Sequence, residues 1–341
     1  MSGYEHKERA VIRALAHRKR RALIWLAAAT AIAALAPASA PAQLDDPGIT
    51  PFTMQIDLCA KAGTLDLPGG VTVPVWGFAR LTGIQTCADV TAQVPGPVLD
   101  VPLNEVVMVV IHNDDASDPI GEPVGLEIPG QAIEQGPVEA PDGGTASFTF
   151  TASAPGTYLY GSPSNGGRQT AMGLYGALIV RSATPGQAYG TPASAYDSEA
   201  TLVLSAIDPA FNANPDGYNM LAWAPTYWLI NGKAYPQTDE ISAPAGSTIL
   251  LRYLNAGFDN TSMAILGAHE RVISRDAYTV DPFDAVSETI AAGQTTDALV
   301  TAPAAGARFA LYNRQLHLTN GAFGSPAYSS PGGMMTFIQG S

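Results

Sequence analysis

The stretch VPGPVLDVPLNEVVMVVIHN, residues 94–113, decides the fold. Its second half is an apolar run rich in valine and isoleucine, which favour β-strands, and the proline, glycine and asparagine before it favour turns. Similar short runs, among them 124–128, continue along the chain, separated by turn residues and without a strong helical period, and each predicts a strand. Such spacing is typical of sandwiches and barrels, so the sequence predicts an all-β protein.

The same pattern occurs again about 140 to 150 residues later. APAGSTILLRYLNAG (243–257) follows the plan of the first stretch, and its Asn255 stands where Asn113 stood. Likewise, TASFTFTASAPGTYLY (145–160) corresponds to TDALVTAPAAGARFALY (296–312). Duplication of one sandwich explains both matches. We therefore expect two domains, 43–182 and 199–341, joined by a linker rich in Ala, Pro, Gly and Ser at 183–198.

The first 42 residues differ from the rest of the chain. A basic segment that includes Arg20 and Arg21 precedes an apolar run at 22–36, and small residues follow up to Ala42. This order predicts a signal peptide over residues 1–42. The apolar run of 15 residues is shorter than the ~20 that span a bilayer. We expect an exported protein, periplasmic or extracellular, without a stable membrane anchor once the signal peptide is cleaved.

The charge of the mature chain excludes whole classes of partner. The full sequence has 17 basic and 30 acidic residues, a net charge of −13. Without residues 1–42 it has 10 basic and 28 acidic residues, a net charge of −18. Such an acidic surface repels nucleic acid and anionic membranes, so we expect neither as a partner.

Two cysteines, Cys59 and Cys87, follow the predicted signal peptide. An exported protein meets an oxidising compartment, where a disulfide is the ordinary state of such a pair. The turn Pro68-Gly69-Gly70 between them predicts a hairpin whose strands lie side by side. We therefore expect Cys59 and Cys87 to be bridged.

Six stretches together carry a resemblance to the multicopper oxidase family. The first half resembles that family's first domain and the second half its second domain. The resemblance implies two cupredoxin-like domains, each a Greek-key β-sandwich. The stretches are VPGPVLDVPLNEVVMVVIHN (94–113), APDGGTASFTFTASAPGTYLY (140–160), MGLYGALIV (172–180), LINGKAYP (229–236), AGSTILLRYLNAG (245–257) and ILGAHERVISRDAY (265–278).

The resemblance also implies where copper ligands would stand. In that family two histidines and a cysteine hold a type 1 copper, and His-x-His pairs hold a trinuclear cluster. Imidazole and thiolate suit copper, whereas carboxylates suit harder metals. We therefore expect no copper cofactor and no catalytic residues. The sequence favours a protein that is not an enzyme; if it is one, the resemblance implies an oxidoreductase of the multicopper oxidase type. The aligned positions hold Glu127 and Pro129, Gly161 and Pro163, and Asn313, Arg314 and Gln315.

Other metal ligands are sparse. Three histidines follow residue 42, and each could be either a structural residue or a metal ligand. His112 ends an apolar run, His269 matches a position where second domains of the family often have a histidine that binds no copper, and His317 is the best single candidate for a metal ligand. The cluster Asp276, Asp281 and Asp284 supplies the oxygen ligands that calcium prefers, but its spacing departs from that of an EF-hand. Whether either candidate binds a metal stays open here.

The sequence thus predicts an exported, multicopper-oxidase-like scaffold or binding module without copper. The alternative is a copper-dependent oxidoreductase whose metal centre is assembled between subunits. The loop GSPSNGGRQTAMG (161–173) places the cation Arg168 in a strongly acidic molecule. We expect Arg168 to contact an unknown protein partner or a second copy of the chain, unless the loop is only a connection. Glu127, Arg168 and Gln169 are expected to form a hydrogen-bonded plug where the family has copper.

Overall fold

The computed structural model describes residues 53–133 and 139–341. The predicted signal peptide, residues 1–42, lies outside these ranges. No helix among the described residues is long and apolar enough to cross a membrane.

Seven strands build the first sandwich, in two sheets of order β2-β1-β4-β5 and β3-β7-β6. Along β4 every second side chain is buried, as expected for a strand with one face on a core. A short helix, α1 (Arg168–Met172), connects the last two strands. The strands are β1 (Met54–Leu67), β2 (Val71–Leu81), β3 (Leu99–Pro102), β4 (Val106–Asn113), β5 (Gly144–Thr151), β6 (Gly156–Gly161) and β7 (Tyr175–Arg181).

Eleven strands build the second sandwich, in sheets of order β14-β13-β16-β11-β8-β9 and β10-β18-β17-β12-β15. A second short helix, α2 (Pro209–Ala213), follows the first of these strands. The strands are β8 (Ser198–Ile207), β9 (Tyr227–Ile230), β10 (Ile241–Ala243), β11 (Thr248–Asn255), β12 (Thr261–Leu266), β13 (Glu270–Arg275), β14 (Tyr278–Ala285), β15 (Ser287–Ile290), β16 (Thr295–Thr301), β17 (Arg308–Asn313) and β18 (Met335–Gly340).

The strand pairing of the first sandwich recurs in the second. The parallel pair β1 and β4 corresponds to β8 and β11, and the parallel pair β3 and β7 corresponds to β10 and β18. The antiparallel partners β5 and β6 have their counterparts in β16 and β17. The repeat noticed in the sequence is therefore a repeat of topology, and the predicted all-β fold of two sandwiches is confirmed.

The equivalent asparagines of the repeat make equivalent hydrogen bonds. Asn113 and Asn255 end β4 and β11, and both side chains are buried. The Asn113 side-chain amide donates to backbone oxygens of Glu122, Ala140 and Pro141. The amide of Asn255 donates to backbone oxygens of Asp259 and Ile290. Each asparagine thus ties two loops to the end of a core strand.

One expected strand is absent and five short elements were not foreseen. The apolar run 124–128 forms isolated bridges instead of a strand, at Val124 and Glu127. The backbone N–H of Gly125, between those bridges, donates to the hydroxyls of Ser162 and Ser164, so side chains replace part of a ladder. The unforeseen elements are β10, β14, β15, α1 and α2.

The predicted disulfide and its hairpin are present. Strands β1 and β2 pair antiparallel across the turn at Pro68-Gly69-Gly70, where both glycines have positive φ. Cys59 and Cys87 are bonded, with their Cα atoms 5.5 Å apart, inside the normal range for a disulfide.

Peptide mapping of the mature protein under non-reducing conditions should give one linked pair of peptides, containing Cys59 and Cys87. Reduction should separate the pair, because the sequence has two cysteines and their single disulfide is the link between the peptides. Two free thiols in protein recovered from an oxidising compartment would contradict this bridge.

A buried polar network joins the two sandwiches. The Thr157 hydroxyl of β6 donates to Asp297 Oδ1 of β16 at 2.7 Å and accepts from Arg252 Nη1 of β11 at 2.9 Å. Arg252 also pairs with Asp297 at 3.3 Å and with Glu199 at 3.0 Å. Tyr189, from the predicted linker, donates to Asp297 Oδ2 at 2.6 Å. The segment between the sandwiches is therefore packed into their interface through Tyr189.

Candidate functional site

Two of the four positions of the first domain that the resemblance singled out lie side by side. Glu127 and Gly161 form an isolated antiparallel bridge, in which each backbone N–H donates to the other's oxygen, at 2.8 and 3.0 Å. Residues 34 positions apart in the chain thus meet at the end of β6, and the neighbouring Pro129 lies on the same side. The fourth position, Pro163, is exposed just beyond β6.

A cavity of about 250 Å³ lies between this bridge and the second sandwich. On the first-sandwich side its wall includes Glu127, Pro129 and Leu159. On the other side the wall is formed by the loop 255–258 after β11 and by the turn at Ala292 and Gly293. Three of the positions singled out in the sequence therefore line one cavity between the two sandwiches.

Gln169 fills the space behind the bridge. Its side chain is fully buried, and its amide donates to Glu122 Oε1 and to the backbone oxygen of Pro123, both at 2.8 Å. Its oxygen accepts from the Ser162 hydroxyl at 2.6 Å, and Ser162 accepts in turn from the N–H of Gly125. Every polar atom of the Gln169 side chain thus has a partner, as burial requires.

The plug that the sequence suggested is only partly formed by the residues named for it. Gln169 belongs to it, whereas Glu127 lies on the cavity wall. The Arg168 guanidinium bonds to neither and donates instead to the backbone oxygens of Pro215 and Tyr218. Arg168 therefore holds the loop after α2 against the first sandwich. Its predicted contact with a partner stays a prediction.

The last three singled-out positions lie apart from that cavity, at the end of β17. Asn313 is buried, and its side-chain oxygen accepts from the N–H of Gln315 at 2.8 Å. Its amide approaches the sulfur of Met334 at 3.7 Å. Arg314 is exposed and its Nη1 donates to the Tyr312 hydroxyl at 3.1 Å. Asn313 and Arg314 thus find their partners among nearby residues of the second sandwich.

The three histidines are dispersed. His112 Nε2 lies 2.9 Å from Asp57 Oδ1, and His269 is exposed. His317 stacks on Trp228 with ring centroids 4.3 Å apart, and burial lowers the pKa of its imidazole. Stacking and partial burial give His317 a packing role in this structure.

Two of the three aspartates considered for calcium are also held by protein groups. Asp276 accepts from the N–H of Thr295 and from the amide of Gln294. Asp284 pairs with Arg271 at 3.3 Å. Within the described part of the chain, His, Cys, Asp and Glu side chains form no group of three that could hold a metal ion.

Sequence reasoning missed the residues that complete the site. Glu122 and Ser162 close the network around Gln169, and the loop that follows Asn255 forms the far wall of the cavity. The internal repeat carried a signal for Asn255, since it marked this position as the equivalent of Asn113. Glu122 and Ser162 stand in no recognisable pattern.

Known proteins resemble this chain in sequence. Two multicopper oxidase family models match residues 77–185 and 206–329, about two thirds of the chain together. Laccase-3 of Oryza sativa subsp. japonica is 28% identical over 256 residues, which cover 69% of this chain and 44% of that protein. Laccase-12 of Arabidopsis thaliana is 27% identical over 248 residues, covering 65% and 42%. The chain therefore spans less than half the length of these relatives.

Solved structures resemble it in fold. The blue copper oxidase from Nitrosomonas europaea superposes with a TM-score of 0.70 at 21% identity, over 84% of this chain and 85% of that one. The copper nitrite reductase from Nitrosomonas europaea gives a TM-score of 0.63 at 20% identity, over 84% and 93%. At such identities the likeness shows the fold, and the predicted cupredoxin-like architecture is confirmed.

Proposed function

Because the chain belongs to the multicopper oxidase family, we propose that it is an exported member that works without copper, as a binding module and not as an oxidase. One observation carries the proposal. Glu127 and Gly161 face each other where the resemblance expects a pair of His-x-His motifs, and neither offers an imidazole. A carboxylate, a glycine and prolines are poor substitutes for the nitrogen and sulfur ligands that copper takes in redox sites.

The surroundings of the bridge support the same reading. The buried amide of Gln169 makes all its hydrogen bonds within the protein, so it leaves no free polar atom there to bind an ion. At the end of β17, Asn313 stands where the resemblance implies a histidine ligand and turns its amide to Met334, and Arg314 stands where it implies the cysteine. A framework inherited from an oxidase would thus be kept for its shape. The export part of the proposal rests on the sequence of residues 1–42.

We expect the mature protein to retain far less than one copper per chain. The test is to load it with Cu²⁺, dialyse it against a mild chelator, and measure copper by elemental analysis and blue absorption in the visible spectrum. A blue copper protein taken through the same steps controls for loading, and His317→Gln shows whether any residual copper sits on that histidine. Stoichiometric copper together with turnover of a phenol would overturn the proposal. If copper binding and turnover appeared only at high protein concentration, they would favour a metal centre assembled between subunits.

A further inference from the structure

The cavity between the sandwiches has the chemistry of a small cation site. We propose that it binds a small arylalkyl ammonium ion, with the Glu127 carboxylate as counter-ion. This inference rests on the proposed function, because it assigns a ligand to a place where the family has metal chemistry. It names the class of ligand that a copper-free binding module of this shape would take.

The electrostatics of the wall favour a cation. Among the described residues that line the cavity, Glu127 is the only acidic or basic one. The ion pairs formed within the described ranges use other carboxylates, so no lysine or arginine there neutralises Glu127. The nearest candidate by sequence, Arg168, is turned towards Pro215 and Tyr218. The predicted net charge of −18 adds a field that concentrates cations at the surface.

The rest of the wall favours an apolar, aromatic body. Leu159 and Pro129 contribute aliphatic surface on the first-sandwich side. Phe258 lies opposite on the second sandwich, with 41% of its surface exposed and its ring held edge-on to Trp223 at 5.2 Å. An exposed phenyl ring can stack on an aromatic ligand or receive an ammonium group on its face. A ligand with a cationic head and an aryl body would use both Glu127 and Phe258.

The far wall is fixed in place, so the site is preformed. Asn255 Oδ1 accepts from the N–H of Gly257 at 3.0 Å, and its amide holds Asp259 and Ile290. A cavity of about 250 Å³ lies just below the usual size of drug sites, so the ligand must be small. Phenethylammonium has the required head and body.

The test compares three arylalkyl probes of similar size: phenethylammonium, neutral 2-phenylethanol and anionic 3-phenylpropionate. Calorimetric titration of the wild-type chain should show the ammonium bound more tightly than the alcohol, and the carboxylate not bound. An exposed charge pair contributes modestly, so we expect Glu127→Gln to weaken ammonium binding about two- to fivefold and leave the alcohol unchanged.

Two further variants make the result specific. Asp142→Asn removes an equal charge from an exposed site that does not line the cavity, so it should leave the preference for ammonium intact. Ala292→Trp fills the cavity from an exposed turn and should abolish binding of every probe. If it fails to fold, the comparison of Glu127→Gln with Asp142→Asn decides alone. Equal binding of ammonium and alcohol by the wild type, or equal losses in Glu127→Gln and Asp142→Asn, would overturn the inference.

Copper content measured on the same samples separates the two proposals. A chain that holds copper and still binds phenethylammonium through Glu127 refutes the copper-free function and leaves the cation site standing. A copper-free chain that does not distinguish the probes refutes the cation site alone.

Discussion

Arg252→Ala is expected to lower the free energy of unfolding by about 3–5 kcal/mol. The Arg252 side chain is 2% exposed and pairs with Asp297, which is 1% exposed. Burial already raises the pKa of Asp297, and Arg252 is the main group opposing that effect. Without the guanidinium, Asp297 must stay charged in a dry interface or take up a proton, and Thr157 loses a donor. Either outcome weakens the contact between the sandwiches.

Arg271→Ala is the matched control, since it removes the same side chain from an exposed pair in the same sandwich. Arg271 and Asp284 are 50% and 64% exposed, and such pairs contribute at most about 1 kcal/mol. Urea unfolding of both variants and of the wild type measures the difference. If Arg252→Ala cost no more than Arg271→Ala, the buried network would not hold the sandwiches together.

Glu270→Gln is expected to stabilise the protein at pH 8 but not at pH 4. Glu270 is 1% exposed at the start of β13, and burial, reinforced by the nearby Glu288, raises its pKa from 4.5 to about 7. The Tyr253 hydroxyl donates to Glu270 Oε2 at 2.9 Å, a bond that a glutamine oxygen can also accept.

The sign of the effect follows from which state holds the proton. Between pH 4.5 and 7 the folded protein keeps a proton that the unfolded chain has released. The contribution of Glu270 is therefore fully present below pH 4.5 and is lost as pH rises through about 7, a change of about 3 kcal/mol. Glutamine does not titrate, so the stability difference between Glu270→Gln and wild type should grow by about that amount from pH 4 to pH 8.

Urea unfolding at pH 4, 6 and 8 measures this change. Glu240→Gln is the control, because Glu240 is 43% exposed in a surface pair with Arg308 and its replacement should change stability little. A Glu270→Gln variant whose difference from wild type stayed constant over this range would show that Glu270 does not keep its proton in the fold.

Local sequence determined the strands that face a core. Every second residue of β4 is buried, and nearly every residue of β11 is buried. A strand that covers a core needs apolar residues at its buried positions, so both runs are recognisable in the sequence. The turn glycines at Gly69 and Gly70 likewise determined the first hairpin, because their positive φ is readily adopted by glycine. These features depend on residues that are close together in the chain, so they can be predicted from the sequence.

The edge strand β14 escaped prediction because its pattern is not that of a core strand. All eight of its side chains are exposed or half-buried, and it contains Asp281, Pro282 and Asp284. It exists because β13 offers it an unpaired edge. The strand expected at 124–128 does not form although its residues are apolar. There the backbone N–H of Gly125 donates to the hydroxyls of Ser162 and Ser164 instead of to a neighbouring strand.

By itself, the sequence determined the all-β class, the duplication, the disulfide pair and the residue types at Glu127, Gly161 and Asn313. Only the tertiary structure decided that Glu127 meets Gly161 on a cavity wall, and that Arg168 serves the loop after α2. The physical reason is distance along the chain. Thr157 and Asp297 are 140 residues apart and bond at 2.7 Å, and nothing in a local pattern records which distant side chains will share a desolvated space.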